Sequence, residues 1–295
     1  MLLWGFCAGL ASAVFQSVSY VFSRIFINRH RDPAKLTVYS QLWMALIGTL
    51  ILLAISPWQR VTPTPRLLLM LVGFAVCGNL AYLCFFRAQT EIEASRLSSL
   101  LGLKMISLMI LNIVVFRDFP SAWQLTAIIL ASAAAVGMNF SGGRLPWRGC
   151  LMLCVTLCCY AVTDTILAMV MNELPGENLP LRAMATAALN FTALGLLSSL
   201  WFVRGKFEPA VMKDAFNYGA LWITACTGLA ASFGLLGVMF GNIVQSSRGF
   251  FSVLIGFWLL RRGRDDLEPA VTGRMWVRRG VMAVLMALAM VLYVR

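Results

Sequence analysis

The stretch RLLLMLVGFAVCGNLAYLCFFRA at residues 66–88 decides the fold, because no charged residue lies between Arg66 and Arg87. A helix that crosses about 30 Å of hydrocarbon needs about 20 apolar residues. Since lipid offers no partner for an open backbone, such a run is predicted to be a helix. Ten runs of this kind predict an all-α integral membrane protein with ten transmembrane helices, at residues 2–23, 35–57, 66–88, 95–116, 120–140, 147–171, 181–203, 216–240, 243–260 and 276–294.

The composition agrees with a membrane protein. Of the 295 residues, 60% are hydrophobic and 12% are charged, whereas soluble domains are about 45–50% apolar and about 25% charged. The net charge of +12 comes mostly from short loops beside apolar runs, where Lys and Arg meet anionic headgroups. No nucleic-acid-binding motif accompanies this charge. The lipid bilayer is therefore the expected partner, and nucleic acid is not.

A weak internal repeat relates the two halves of the chain. An offset of 144 places Gly5 on Gly149 and also Lys104 on Arg248. The halves are predicted to be residues 1–143 and 144–295, with five helices each. Because five is odd, the second half must enter the membrane upside down. This is the inverted-repeat plan of secondary transporters, whose binding site lies at the repeat interface.

Loop charge predicts the orientation. Loops after odd-numbered runs hold 17 Lys and Arg residues against 6 for the other loops and the tail. The positive-inside rule then places the odd-numbered loops in the cytoplasm and both termini outside.

Several short motifs resemble the drug/metabolite transporter superfamily, in its EamA-like ten-helix group. The motifs are Trp4-Gly5 with Arg24, Arg87-Ala88, Glu93-Ala94-Ser95, Phe116-Arg117-Asp118-Phe119 and Gln124. The resemblance implies two five-helix halves and termini in the cytoplasm, which is opposite to the loop-charge prediction. In the related sugar-phosphate translocators, basic residues of helices four and nine hold phosphate. The resemblance therefore implies a similar role for Lys104 and Arg248.

Three charged residues lie a helical turn or more inside predicted helices: Lys104, Asp164 and Arg248. A charge at a helix centre costs about 2.5–3.5 kcal/mol on insertion scales, so such residues usually face a cavity or a partner. Two converging cations suit a divalent or phosphorylated anion. The alternatives are that one base pairs with Asp164 and that Arg248 reaches the headgroups. Asp164 is either a proton relay or a structural partner.

Other polar groups in the runs are further candidates for lining a substrate cavity, although helix–helix hydrogen bonding is the alternative for each. Gln16 and Tyr20 lie one turn apart, as do Tyr160 and Asp164 at the matching place in the second half. The full set of predicted substrate-binding residues is Gln16, Tyr20, Asn79, Tyr82, Lys104, Tyr160, Asp164, Gln245, Ser247 and Arg248.

These features favour a secondary active transporter, an exporter or exchanger of a small and possibly acidic metabolite that works by alternating access. Coupling to a proton or counter-substrate is expected through Asp164. No nucleophile–base pair or phosphate-binding glycine loop appears, so we expect no enzyme activity, catalytic residue, cofactor or metal site. The alternatives are a lipid-linked phosphate flippase and a non-transporting assembly or binding protein. The expected location is the bacterial inner (plasma) membrane.

Overall fold

The computed structural model describes residues 1–56, 58–92, 97, 100–138, 146–203, 206–263 and 273–294, except the side chains of 273–276. The described residues form helices and no β-strand. The α-helices are α1 (Leu2–His30), α2 (Pro33–Ile55), α3 (Pro65–Gln89), α4 (Lys104–Leu111), α5 (Ala122–Met138), α6 (Trp147–Glu173), α7 (Leu179–Ser199), α8 (Pro209–Leu236), α9 (Val238–Gln245), α10 (Arg248–Arg261) and α11 (Gly273–Val294).

The predicted all-helical membrane architecture is confirmed. Among the described residues, eight helical segments are long and apolar enough to cross a membrane, and two shorter apolar helices lie at predicted runs four and five. The exact count of ten crossings and the inversion of the halves stay predictions. The boundary at residues 143 and 144 and the Glu93-Ala94-Ser95 motif lie outside the described residues.

Polar residues next to proline start three of the helices. The Asp32 carboxylate accepts hydrogen bonds from the backbone of Ala34 at 3.0 Å and Lys35 at 3.1 Å, at the start of α2. Thr64 and Asn178 cap α3 and α7 in the same way. A proline in the first turn has no N–H that would need a partner there. Predicted runs two, three and seven, which begin at residues 35, 66 and 181, thus start within three residues of these capped helix ends.

Runs four and nine are not continuous α-helices. In run four, α4 follows a 3-10 turn at Leu101–Leu103 and precedes a π-helical turn at Asn112–Phe116. Run nine is divided into α9 and α10 by Ser246 and Ser247. There the Ser247 amide donates to the Val244 carbonyl at 3.1 Å, in the tighter 3-10 pattern.

The irregular points hold the two intramembrane cations. Lys104 is the first residue of α4, and Arg248 is the first residue of α10. Interrupted helices in corresponding places of two halves are a mark of the binding site in secondary transporters. The backbone irregularities alone therefore indicate Lys104 and Arg248 as candidates for the binding site.

Helix pairing follows the pattern expected for two related halves. The closest packing joins α1 to α8 and α3 to α6, and it also joins α2 to α7 and α5 to α11. An exchange of the halves turns the α1–α8 pair into the α6–α3 pair and leaves the other two pairs unchanged. This symmetry supports the predicted repeat.

Small residues allow α2 and α7 to approach closely. A Cβ atom added to Gly195 of α7 would lie 2.5 Å from the Gln41 carbonyl oxygen and would also overlap Ala45 of α2. Because the obstacle is partly backbone, a side-chain rotation cannot relieve it.

We expect Gly195→Ala to lower the thermal unfolding temperature of the purified protein in detergent, because overpacking a tight contact costs about 1–3 kcal/mol. Gly280→Ala is the matched control, since an added Cβ there meets nothing within 4 Å. Unfolding would be followed by the loss of monodisperse protein after heating. Equal unfolding temperatures for the two variants would contradict the close α2–α7 packing.

Candidate substrate-binding site

A cavity of about 30 Å³ lies within the bundle and is lined by helices of both predicted halves. This volume has room for about one or two water molecules, so a larger ligand requires the surrounding helices to move apart. The cavity wall includes residues of α1, α3, α4, α6, α7, α8, α9 and α10. Seven of the ten predicted site residues line it: Gln16, Tyr82, Lys104, Tyr160, Asp164, Gln245 and Arg248.

The wall of the cavity contains residue pairs that the sequence repeat relates. The offset of 144 that places Lys104 on Arg248 also connects three other pairs of lining residues. These pairs are Gln16 with Tyr160, Gly78 with Trp222 and Tyr82 with Cys226. The cavity therefore lies where equivalent faces of the two halves meet, which is where the inverted-repeat plan expects a substrate site.

Lys104 forms a buried ion pair. Its Nζ lies 2.5 Å from Asp164 Oδ2 and donates to Gln245 Oε1 at 3.0 Å. Lys104 is 4% exposed and Asp164 is 8% exposed. The two helices that carry them, α4 and α6, come from different halves. The internal ion pair that the sequence left as an alternative is thus the arrangement of Lys104, and its charge is largely neutralised.

Arg248 is buried without an acidic partner. Its guanidinium donates to Gln16 Oε1 at 3.1 Å, and its backbone carbonyl accepts from Ser17 Oγ at 2.9 Å. No ion pair involves Arg248 in the described part of the chain. At 3% exposure it does not extend along the surface as a headgroup contact would require. Arg248 therefore carries the unneutralised positive charge of the cavity.

The sequence analysis missed eight of the fifteen lining residues, among them Trp222 and Cys226. Trp222 and Cys226 lie one turn apart on α8 and both face the cavity. In the sequence they look like ordinary apolar residues of a membrane helix. The repeat offset could have identified Cys226, because it relates Cys226 to the predicted site residue Tyr82, whereas it relates Trp222 to Gly78, which was not predicted.

Three predicted site residues do not line the cavity. Tyr20 packs its ring against Phe85 and Trp222, with centroids 5.2 Å and 5.7 Å away. Asn79 accepts from Ser198 Oγ at 2.8 Å and therefore joins α3 to α7. Ser247 is buried at the junction of α9 and α10. Asn79 thus follows the interhelical alternative, and Tyr20 belongs to the packing behind the wall.

Comparison with known proteins gives a family match in the first half of the chain. Residues 3–140 match the EamA-like transporter family. The match confirms the resemblance to the drug/metabolite transporter superfamily, and together with the eight apolar helical segments it supports a multi-pass membrane protein.

The fold has a counterpart among solved structures. One crystal structure superposes with a TM-score of 0.65 over 98% of this chain and 95% of the other, at 12% sequence identity. At this identity the similarity concerns the fold alone. No curated protein matches the chain.

The ion pair can be tested by a double-mutant cycle. We expect Lys104→Met to destabilise the protein by about 3–5 kcal/mol, because it leaves the Asp164 charge buried and unpaired. Adding Asp164→Leu should restore most of the lost stability, as measured by thermal unfolding in detergent. Lys213→Met, at an exposed position, is the matched control.

If Lys104→Met yields no folded protein, recovery of folded protein in the double variant gives the same answer. Single losses that merely add in the double variant would show that Lys104 and Asp164 are not coupled.

Proposed function

We propose that the protein is a secondary active transporter that moves a small organic anion across the bacterial inner membrane by alternating access. The observation that supports this most directly is Arg248, a buried cation that lines a cavity between the two halves and has no acidic partner among the described residues. A buried charge of this kind is stabilised when an opposite charge binds beside it.

The charge of the cavity favours a monoanion. Its charged lining residues are Lys104, Asp164 and Arg248, so one positive charge remains after the ion pair is counted. The divalent or phosphorylated anion expected from two free cations would need the Lys104–Asp164 pair to open. Gln16 and Gln245 add two amide side chains to the lining, and each accepts a hydrogen bond from one of the two cations.

Contacts between the predicted halves join them at both ends of the bundle. At one end, which we call the His30 end, Asp214 of α8 pairs with Arg29 at 2.9 Å and with His30 at 2.7 Å, and Glu208 pairs with Lys35 at 2.6 Å. Alternating access requires these contacts to open while the opposite end stays shut.

The opposite end, which we call the Gln59 end, is held by weaker contacts. Gln59 Nε2 donates to the Pro175 carbonyl at 2.7 Å, and Arg66 lies 3.7 Å from Glu173. Gln59 lies in the loop between α2 and α3, and Arg66 lies in the first turn of α3. Both contacts therefore join this region to the C-terminal end of α6. In a transport cycle the two sets would break in turn, and each set is small enough to break without unfolding a helix.

The energy source follows from what binds at the centre. With no nucleotide-binding motif in the sequence, the drive is an exchange or an ion gradient. Asp164 is the residue that would couple a proton or a counter-substrate, because its protonation or displacement would release Lys104 to a second anion. Export or exchange is the expected direction of use.

A lipid-linked phosphate flippase is the second candidate, and one observation favours it. An apolar groove of about 260 Å³ runs between α4 and α6, lined by residues such as Ile110, Val114 and Cys158. Ile110 and Val114 are exposed on the lipid side of the bundle. A lipid chain in this groove would lie beside the helices that carry Lys104 and Asp164.

Transport by proteoliposomes tests the main proposal. Radiolabelled methanesulfonate and benzenesulfonate are suitable probes, because sulfonates are permanently charged monoanions that do not leak through lipid. We expect protein-dependent uptake of at least one probe, and Arg248→Gln should reduce its initial rate by at least about tenfold, as for loss of a buried charged contact.

Arg148→Gln, which removes an exposed arginine, is the matched control and should transport normally. Two results would refute the proposal: uptake of neither anion, or equal uptake by the Arg248→Gln variant. Selective flipping of a lipid phosphate with no sulfonate uptake would favour the second candidate.

A further inference from the structure

Aromatic side chains surround the cationic cavity. Five of its lining residues carry aromatic rings: Phe74, Tyr82, Tyr160, Phe191 and Trp222. They come from α3, α6, α7 and α8 and therefore from both predicted halves. A site built only to hold a small hydrated anion needs no such wall, since aromatic faces repel negative charge and favour flat apolar partners.

Trp222 is the centre of this wall. Its ring lies 28° from parallel to the Tyr160 ring, with centroids 6.4 Å apart, and Tyr82 meets it nearly edge-on at 5.5 Å. Two successive ring stackings would need about 7–8 Å, given a contact distance of about 3.5–4.0 Å each. Because the cavity measures about 30 Å³, a flat ring would enter between Trp222 and Tyr160 only when these two rings move apart.

The same wall holds buried polar atoms without partners. In the described part of the chain, Tyr160 Oη, Trp222 Nε1 and Arg248 Nε make no hydrogen bond, and each atom is closed off from solvent. Tyr160 is 7% exposed and Trp222 is 4% exposed. Because buried polar groups are almost always paired, three donors at one cavity indicate a ligand that supplies acceptors.

We infer that the substrate of this cavity is an aromatic monoanion, with its acidic group at Arg248 and its ring against Trp222 and Tyr160. The inference rests on the proposed function and adds the chemical class of the substrate to it. The single negative charge matches the one cation that Asp164 does not neutralise. The unpaired donors of Tyr160 and Trp222 would bind acceptor atoms on or near the ring.

Other ligand classes fit the same site less well. A flat cation would gain from the aromatic faces, but it would meet the net positive charge of Lys104, Asp164 and Arg248. A dianion would need the Lys104–Asp164 pair to open. A small aliphatic anion would leave the aromatic wall and its two donors without partners.

A matched set of probes separates these classes. Binding to the purified full-length protein would be measured by isothermal titration calorimetry with benzenesulfonate, methanesulfonate, cyclohexanesulfonate, benzenedisulfonate, neutral benzenesulfonamide and phenyltrimethylammonium. We expect benzenesulfonate to bind most tightly, by at least about tenfold over methanesulfonate and over the neutral amide. Tightest binding of the cation, of the dianion or of cyclohexanesulfonate would overturn the inference.

Variants assign the two parts of this preference. Trp222→Leu should abolish the preference for benzenesulfonate over cyclohexanesulfonate, whereas Trp222→Phe should keep it because the ring remains. Arg248→Gln should abolish the preference for benzenesulfonate over benzenesulfonamide and keep the preference for aromatic rings. Trp147→Leu, at a position 71% exposed, is the matched control and should bind like the unmodified protein.

The two proposals fail differently in these experiments. Arg248-dependent binding and uptake of methanesulfonate with no preference for a ring would refute the aromatic substrate and leave the anion transporter standing. Binding of benzenesulfonate that neither Trp222→Leu nor Arg248→Gln weakens would refute the assignment of the site. Absence of Arg248-dependent binding of any anion would refute both proposals.

Discussion

The burial of three charges near the middle of a membrane bundle is the constraint on which the rest of the structure depends. Ion pairs in low dielectric are stabilising only when geometry is close and the remaining polar atoms are bonded. The Lys104–Asp164 pair meets the first condition, at 2.5 Å, and Lys104 also donates to Gln245 at 3.0 Å. Because α4, α6 and α9 must all reach this point, the pair determines how the two halves meet.

Arg248 places a different demand on the bundle. A guanidinium offers five donors, and the described residues supply one side-chain acceptor, Gln16. The cavity beside it measures about 30 Å³, so an anionic partner larger than water would bind there only after the helices move apart. Apolar and aromatic walls lower the local dielectric, so an anion bound there would interact strongly with Arg248. Structure and proposed function therefore depend on the same unbalanced charge.

Much of the architecture could be predicted from the sequence because lipid imposes simple rules. Hydropathy located the spans, and the rarity of charge inside them identified Lys104, Asp164 and Arg248 as lining residues. The choice of partner for Asp164 could not be predicted, because either cation satisfied the pattern. Only the packing of α4 against α6 brings Lys104, rather than Arg248, to the carboxylate.

Other features of the site could not be predicted from the sequence. No proline marks the irregular turns beside α4 or the junction before α10. Trp222 and Cys226 resemble any apolar residue of a span, and Tyr20 shares a helix face with Gln16 yet packs behind the wall. Helical periodicity predicts the helix face on which a residue lies. It does not predict which neighbouring side chain packs against that residue.

The most direct measurement uses Cys226 as a reporter of the charge in the cavity. In a variant that keeps Cys226 as its only cysteine, its modification rates by thiosulfonate reagents ending in a sulfonate or a trimethylammonium group would be compared. Each rate would be normalised to the reaction with a free thiol. A net positive cavity predicts faster modification by the anionic reagent and loss of this preference in Arg248→Gln. Faster modification by the cationic reagent, or a preference that Arg248→Gln leaves unchanged, would contradict the account.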